Sequence, residues 1–82
     1  MFKLYDVVKL KNSRPDIGIK ENNMGSIIDI IGNGKAYTVE FFDENNETIE
    51  ESIYEYFEED DLISVELQND FQPVNIKVAS GK

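Results

Sequence analysis

The run IIDIIGNGKAYTVEFF, residues 27–42, narrows the fold more than any other part of the chain. β-branched and aromatic residues flank a Gly-Asn-Gly-Lys turn, and Asn33-Gly34 favours the positive φ angles of a primed turn, so a β-hairpin is expected here. On the return strand, Tyr37, Val39 and Phe41 share one side and Ala36, Thr38, Glu40 and Phe42 the other, which makes the odd-numbered side the apolar one. The outgoing strand begins at Met24. Its Gly25 is expected at a bulge or barrel corner, where a bent strand needs a residue without Cβ.

Residues 4–10, LYDVVKL, read as a first strand with Leu4, Asp6, Val8 and Leu10 on one side. KNSRPDIGIKENN follows as a long polar loop, in which Ile17 and Ile19 are apolar enough to tuck back onto the core. DENN, residues 43–46, is a turn. Residues 47–57 stay ambiguous: Ile49, Ile53 and Phe57 recur at a spacing of four, which suits a helix opened by a Thr48/Glu51 capping box and equally suits one face of a strand. Tyrosines, Phe57 and Ile53 lean towards the strand. EEDD, residues 58–61, reads as a short turn or single 3₁₀ turn, and residues 62–67 as a last strand. The expected architecture is all-β: a five-stranded antiparallel SH3-like barrel over residues 1–67, with a long loop after strand one. Residues 68–82 form an extension whose short β-type run, 74–78, can pair along an edge or stay mobile.

An 82-residue chain with 40% hydrophobic residues supports one modest core and leaves little room for a deep cleft. The absence of cysteine removes disulfides and thiolate chemistry and suits a reducing cytoplasm. Charges at Lys3, Asp6 and Lys9 interrupt any apolar leader, and no stretch approaches a membrane span, so a soluble cytoplasmic protein with no membrane partner is expected. The distribution of charge says more than its net value of -9: residues 36–76 hold thirteen of the seventeen acids and none of the eight Lys and Arg. Such a molecule presents a negative face to its surroundings.

YDVV at residues 5–8, IGIKENNMGSIIDI at 17–30 and AYTVEFFDENNET at 36–48 together resemble a bacterial family of short SH3-like domains of unknown function. The shared pattern is an early strand, a Gly-Leu or Gly-Ile turn, a Gly-Thr/Ser-Val/Ile strand and a Tyr-x-Val-Glu-Phe strand, here covering about residues 4–65. Family members are often encoded near candidate toxin domains. The resemblance therefore implies a small barrel and an antitoxin or immunity role.

With no histidine, the chain lacks an imidazole base and the usual zinc and nucleophile arrangements, so catalysis is not expected and no cofactor or metal site is assigned. Counting an EF-hand loop from Asp43 puts Thr48 where glycine is required and Tyr54 where glutamate is required. Direct nucleic-acid binding would need a basic surface. Lys3, Lys9, Lys11, Arg14 and Lys20 could form one around the long loop, which keeps a nucleic-acid or ribosome-associated module as the alternative, with an accessory enzyme subunit as a third reading.

The stretch ETIEESIYEYFEEDDLI, residues 47–63, has eight carboxylates and no cation. Solubility needs less charge than this, and interspersed lysines would supply it without repulsion. If each close like-charge pair costs about 0.2–0.5 kcal/mol, five or six pairs cost about 1–3 kcal/mol from a total of about 5–15 kcal/mol. That expense favours a docking surface for a basic protein, such as a nuclease or other nucleic-acid enzyme. Tyr54 and Tyr56 would be its flat anchors, and Glu50, Glu51, Glu55, Glu58, Glu59, Asp60 and Asp61 its steering and pairing groups. The plainer alternatives are a solvated face and one tyrosine packed in the core. The chain is expected as a monomer or weak dimer.

Overall fold

A computed structural model describes residues 1–65. Among them the chain is all-β, with four antiparallel strands in one open sheet and three short 3₁₀ turns. The strands are β1 (Val7–Leu10), β2 (Met24–Ile31), β3 (Ala36–Phe41) and β4 (Leu62–Ser64). Their order across the sheet is β3-β2-β1-β4. No helix among the described residues is long and apolar enough to cross a membrane. The extension at 68–82, with its β-type run 74–78, lies outside the described residues.

The hairpin forms where its sequence places it. Tyr37, Val39 and Phe41 are fully buried, so the odd-numbered face of β3 is the core face. They pack with Val8 and Leu10 of β1, Ile27 of β2, Leu62 of β4, and Ile19 and Phe57 from the connecting segments. Ile19 tucks inward from the long loop as expected, and Ile17 packs partly buried against the same cluster. Phe41 and Phe57 meet edge to face, with ring centroids 5.5 Å apart.

Several local expectations are corrected. Asn33 and Gly34 take the positive φ expected of them, and Gly32 does so as well, so the left-handed stretch of the turn begins one position earlier. The bulge lies between Ile27 and Asp29, not at Gly25: Ile27 pairs with Val39 and Asp29 with Thr38, leaving Ile28 as the extra residue. Gly25 has a different reason to lack a side chain. A Cβ there would stand 2.7 Å from Val39 Cγ1, 2.8 Å from Phe41 Cδ1 and 3.0 Å from the Glu40 carbonyl oxygen. The first strand starts at Val7, because the preceding residues turn: Asp6 accepts the Lys3 N–H on its carboxylate at 2.9 Å, and Tyr5 has φ 71°.

Residues 47–57 are not a strand, and only isolated bridges at Thr48 and Phe57 keep strand pairing. Between those bridges a 3₁₀ turn spans Glu50–Tyr54. The Thr48/Glu51 capping box does not form, since the Thr48 hydroxyl donates instead to Glu40 Oε2 at 2.7 Å. Ile49 packs partly buried and Phe57 fully, as expected, but Ile53 stays outside the core cluster. Ser52 takes the inward position in its place. It is fully buried, and its Oγ accepts the Phe41 N–H at 3.0 Å. The single 3₁₀ turn expected at 58–61 is present as Glu59–Asp61.

Two substitutions test this packing. Gly25→Ala is expected to destabilise the protein by about 1–3 kcal/mol, because the backbone carbonyl and two core side chains must move, and urea unfolding measures it. Ser52→Ala leaves the buried Phe41 N–H without its acceptor and is expected to cost about 1–3 kcal/mol in the same assay.

Candidate functional site

The acidic stretch lies along the outer edge of β3. Phe57 exchanges two backbone hydrogen bonds with Tyr37, at 2.7 and 2.9 Å, and the Ile49 N–H donates to the Phe41 carbonyl at 2.8 Å. Tyr37 and Phe41 are four strand residues apart, about 13 Å. Glu50 and Glu51 therefore stand near one end of this edge and residues 58–61 near the other, with Tyr54, Glu55 and Tyr56 between them. Sheet edges need protection from stray pairing, and a carboxylate-rich cover supplies it.

The nine residues expected at the docking face divide by environment. Tyr54 and Tyr56 are 79% and 68% exposed, so neither packs in the core. Glu50, Glu51, Glu58 and Asp60 are exposed and form no ion pair among the described residues. Asp61 is also exposed, and its Oδ2 accepts the Glu58 N–H at 2.8 Å. Glu55 is half-buried and faces Arg14 Nη2 at 3.5 Å. Glu59 is engaged by the Met1 ammonium at 2.8 Å and by the Tyr37 hydroxyl, which donates at 3.2 Å. The ammonium contact, and to a lesser degree the hydroxyl, hold the Glu59 carboxyl below the usual carboxylate range.

The basic residues of the long loop are drawn into this acidic surround. Arg14 forms a two-pronged contact with Asp16, at 3.0 and 2.9 Å, which raises the guanidinium pKa and holds the Asp16 carboxyl low. Lys20 Nζ pairs with Glu44 Oε2 at 3.1 Å. The Glu44 carboxyl is also held low, first by a backbone hydrogen bond and then by Lys20. Two of the cations that would serve a nucleic-acid surface thus already have carboxylate partners.

Sequence reasoning missed a depression of about 390 Å³ between the long loop and the turn at 43–46. Asp16, Lys20, Asp43, Glu44 and Glu51 line it together with the partly buried Ile17 and Ile49. Asn23, which also lines it, is 5% exposed. No motif spacing marks this site, because its residues come from segments about 30 positions apart. Among the described residues, no group of three or more His, Cys, Asp or Glu converges to hold a metal ion.

These features define a small all-β domain whose sheet edge is covered by an acidic, tyrosine-bearing strip. The chain belongs to the family described as Domain of unknown function (DUF4926), whose model matches residues 4–52. Searches of curated proteins and of solved structures gave no match. The depression lies wholly within the matched residues, and Tyr54 to Asp61 lie beyond them.

The Arg14–Asp16 contact has a pH signature. A carboxyl held lower in the folded than in the unfolded chain contributes stability that is complete above the unfolded pKa and is lost as pH falls through the folded one. The urea midpoint of the protein should therefore exceed that of Asp16→Asn slightly at neutral pH, with the gap closing on acidification below the ordinary carboxylate range. A constant gap would show that the contact contributes nothing.

Proposed function

We propose that this protein is a small acidic binding domain, without catalysis of its own, that docks on a basic partner protein. The observation that carries the reading is the pair Tyr54 and Tyr56, exposed on a strip of carboxylates along the β3 edge. Large aromatic side chains left in water are costly, and tyrosines are favoured anchors where two proteins meet. Surrounding negative charge speeds encounter with a positive partner and rejects negative ones. An enzyme acting on nucleic acid carries the kind of basic groove this strip complements. The role is that of an immunity protein, antitoxin or phage-type inhibitor in a bacterial cytoplasm.

The sheet's own geometry supports an SH3-like barrel. Phe57 is bound to β3 at one edge of the sheet, and Leu62 pairs with Leu10 of β1 at the other. In a flat sheet those two residues would sit four strand spacings apart, about 19 Å. Five residues that include a 3₁₀ turn reach only about 13 Å, which favours a sheet that curls towards closure.

The test is a charge series. Changing Glu50, Glu51, Glu58 and Asp60 together to Gln, with unaltered circular dichroism, should weaken binding to a co-purifying basic partner at least tenfold at low salt, measured by calorimetry. Charge reversal to Lys should abolish it. Unchanged affinity in both variants would overturn the proposal.

A further inference from the structure

We infer that Asn33, at the tip of the β2–β3 hairpin, is a site of self-modification, where the chain converts its own side-chain amide to a carboxylate through a cyclic imide. The conversion starts when a backbone nitrogen attacks the preceding asparagine side chain, so the next residue decides whether that carbon is reachable. Here it is Gly34, with no Cβ to crowd the approach. Asn33 is exposed to water, which the second half of the reaction consumes. Gly32, Asn33 and Gly34 have φ of 61°, 60° and 99°, a left-handed run beyond the last strand pair, Ile31 with Ala36. The Gly34 N–H donates to the Ile31 carbonyl at 3.2 Å, and the Lys35 N–H donates to the same carbonyl at 3.0 Å. The attacking nitrogen therefore gives up the longer of two bonds to one acceptor, while the other keeps the turn closed. Lys35 also brings a cation to the tip: its stem lies against Gly32, where a Cβ would come within 3.3 Å of Lys35 Cδ. Positive charge there favours the negative charge that passes from the nitrogen to the amide oxygen.

Hydroxide takes the proton of the Gly34 N–H, and the nitrogen forms a bond to Asn33 Cγ. The Cγ–Nδ2 bond breaks, and the amide nitrogen leaves as ammonia with a proton from water. Water then opens the imide ring. Breaking the bond at Cγ restores the ordinary backbone and leaves aspartate; breaking it at the Asn33 main-chain carbonyl carbon leaves isoaspartate, with an extra methylene in the backbone. The sum is a water consumed and an ammonia released, with no oxidant or cofactor. Both products place a new negative charge at the hairpin tip. Isoaspartate also displaces Gly34, which lies against Met1 and the Tyr37 hydroxyl: a Cβ there would stand 3.1 Å from Met1 Sδ and 3.4 Å from Tyr37 Oη. Met1 and Tyr37 both hold Glu59, so lengthening the tip loosens one end of the acidic strip. The chain carries its own control. Asn46 is also exposed and left-handed, with φ 63°, but Glu47 follows it, and the Glu47 N–H is bound to the Asp43 carboxylate at 3.0 Å.

The test incubates the folded full chain at mildly alkaline pH and follows each asparagine by peptide mass mapping. Asn33 should convert about tenfold or more faster than Asn46, to a mixture of aspartate and isoaspartate, at a rate that rises with pH. Asn33→Gln, whose longer side chain closes a less favoured ring, should suppress the conversion at this position. In the aged chain the backbone amide signals of Phe2 and Glu59 should shift, and their constancy would overturn the coupling to Glu59. Conversion at Asn33 no faster than at Asn46, or conversion only after unfolding in urea, would overturn the proposal.

Discussion

Two attachments to β3 hold the acidic half of the described chain in place. At one end Tyr37 and Phe57 exchange backbone hydrogen bonds, and at the other Phe41 accepts the Ile49 N–H while its own N–H is taken by Ser52. Each anchoring residue on β3 is also a fully buried aromatic of the core. The same two residues therefore fill the interior and organise the surface. Between the anchors the chain departs from strand geometry, and that departure sends Tyr54 and Tyr56 into solvent. Continuous pairing along residues 47–57 would have alternated side chains inward and outward in a different pattern.

The hairpin and the core face of β3 were legible in the sequence because a period of two, flanked by turn residues, admits few other folds. The strand expectation for residues 47–57 failed at Ser52. A serine ordinarily reads as surface, so the spacing of Ile49, Ile53 and Phe57 suggested a continuous apolar face. One buried hydroxyl, needed by the Phe41 N–H, outweighed the apolar gain from turning Ile53 inward. The Thr48 hydroxyl was similarly claimed by Glu40 rather than by a helix start. Composition located the acidic stretch correctly, and its tyrosines proved exposed. The depression lined by Asn23 was invisible, since its residues come from two separate segments of the chain that only the fold brings together.

Charge in this molecule is distributed unevenly in its engagement as well as its sign. Glu55 and Glu59 are tied to cations of the chain itself, and Asp61 accepts a backbone N–H; Glu50, Glu51 and Asp60 lie exposed and have no cation partner among the described residues. Carboxylates of the first kind hold segments together, joining the acidic strip to the N-terminus and to the long loop. Those of the second kind contribute only field. A sequence count treats all of them alike, whereas the geometry separates the fasteners from the groups left available to a partner.

The extra residue at Ile28 divides β2 into two halves of opposite phase. Before it the inward positions are the odd ones, Gly25 and Ile27; after it the partly buried Ile30 joins the core from an even position. β3 alternates without a break, with Tyr37, Val39 and Phe41 all inward, so the extra residue in β2 is what allows Ile27 and Ile30 to face inward opposite Val39 and Tyr37. Chain length in this strand therefore has one residue to spare, the unpaired Ile28. A lineage that lost Ile28 alone would return β2 to plain alternation with Asp29 still opposite Thr38 and Ile30 still opposite Tyr37, whereas the loss of a second residue would turn Ile30 outward.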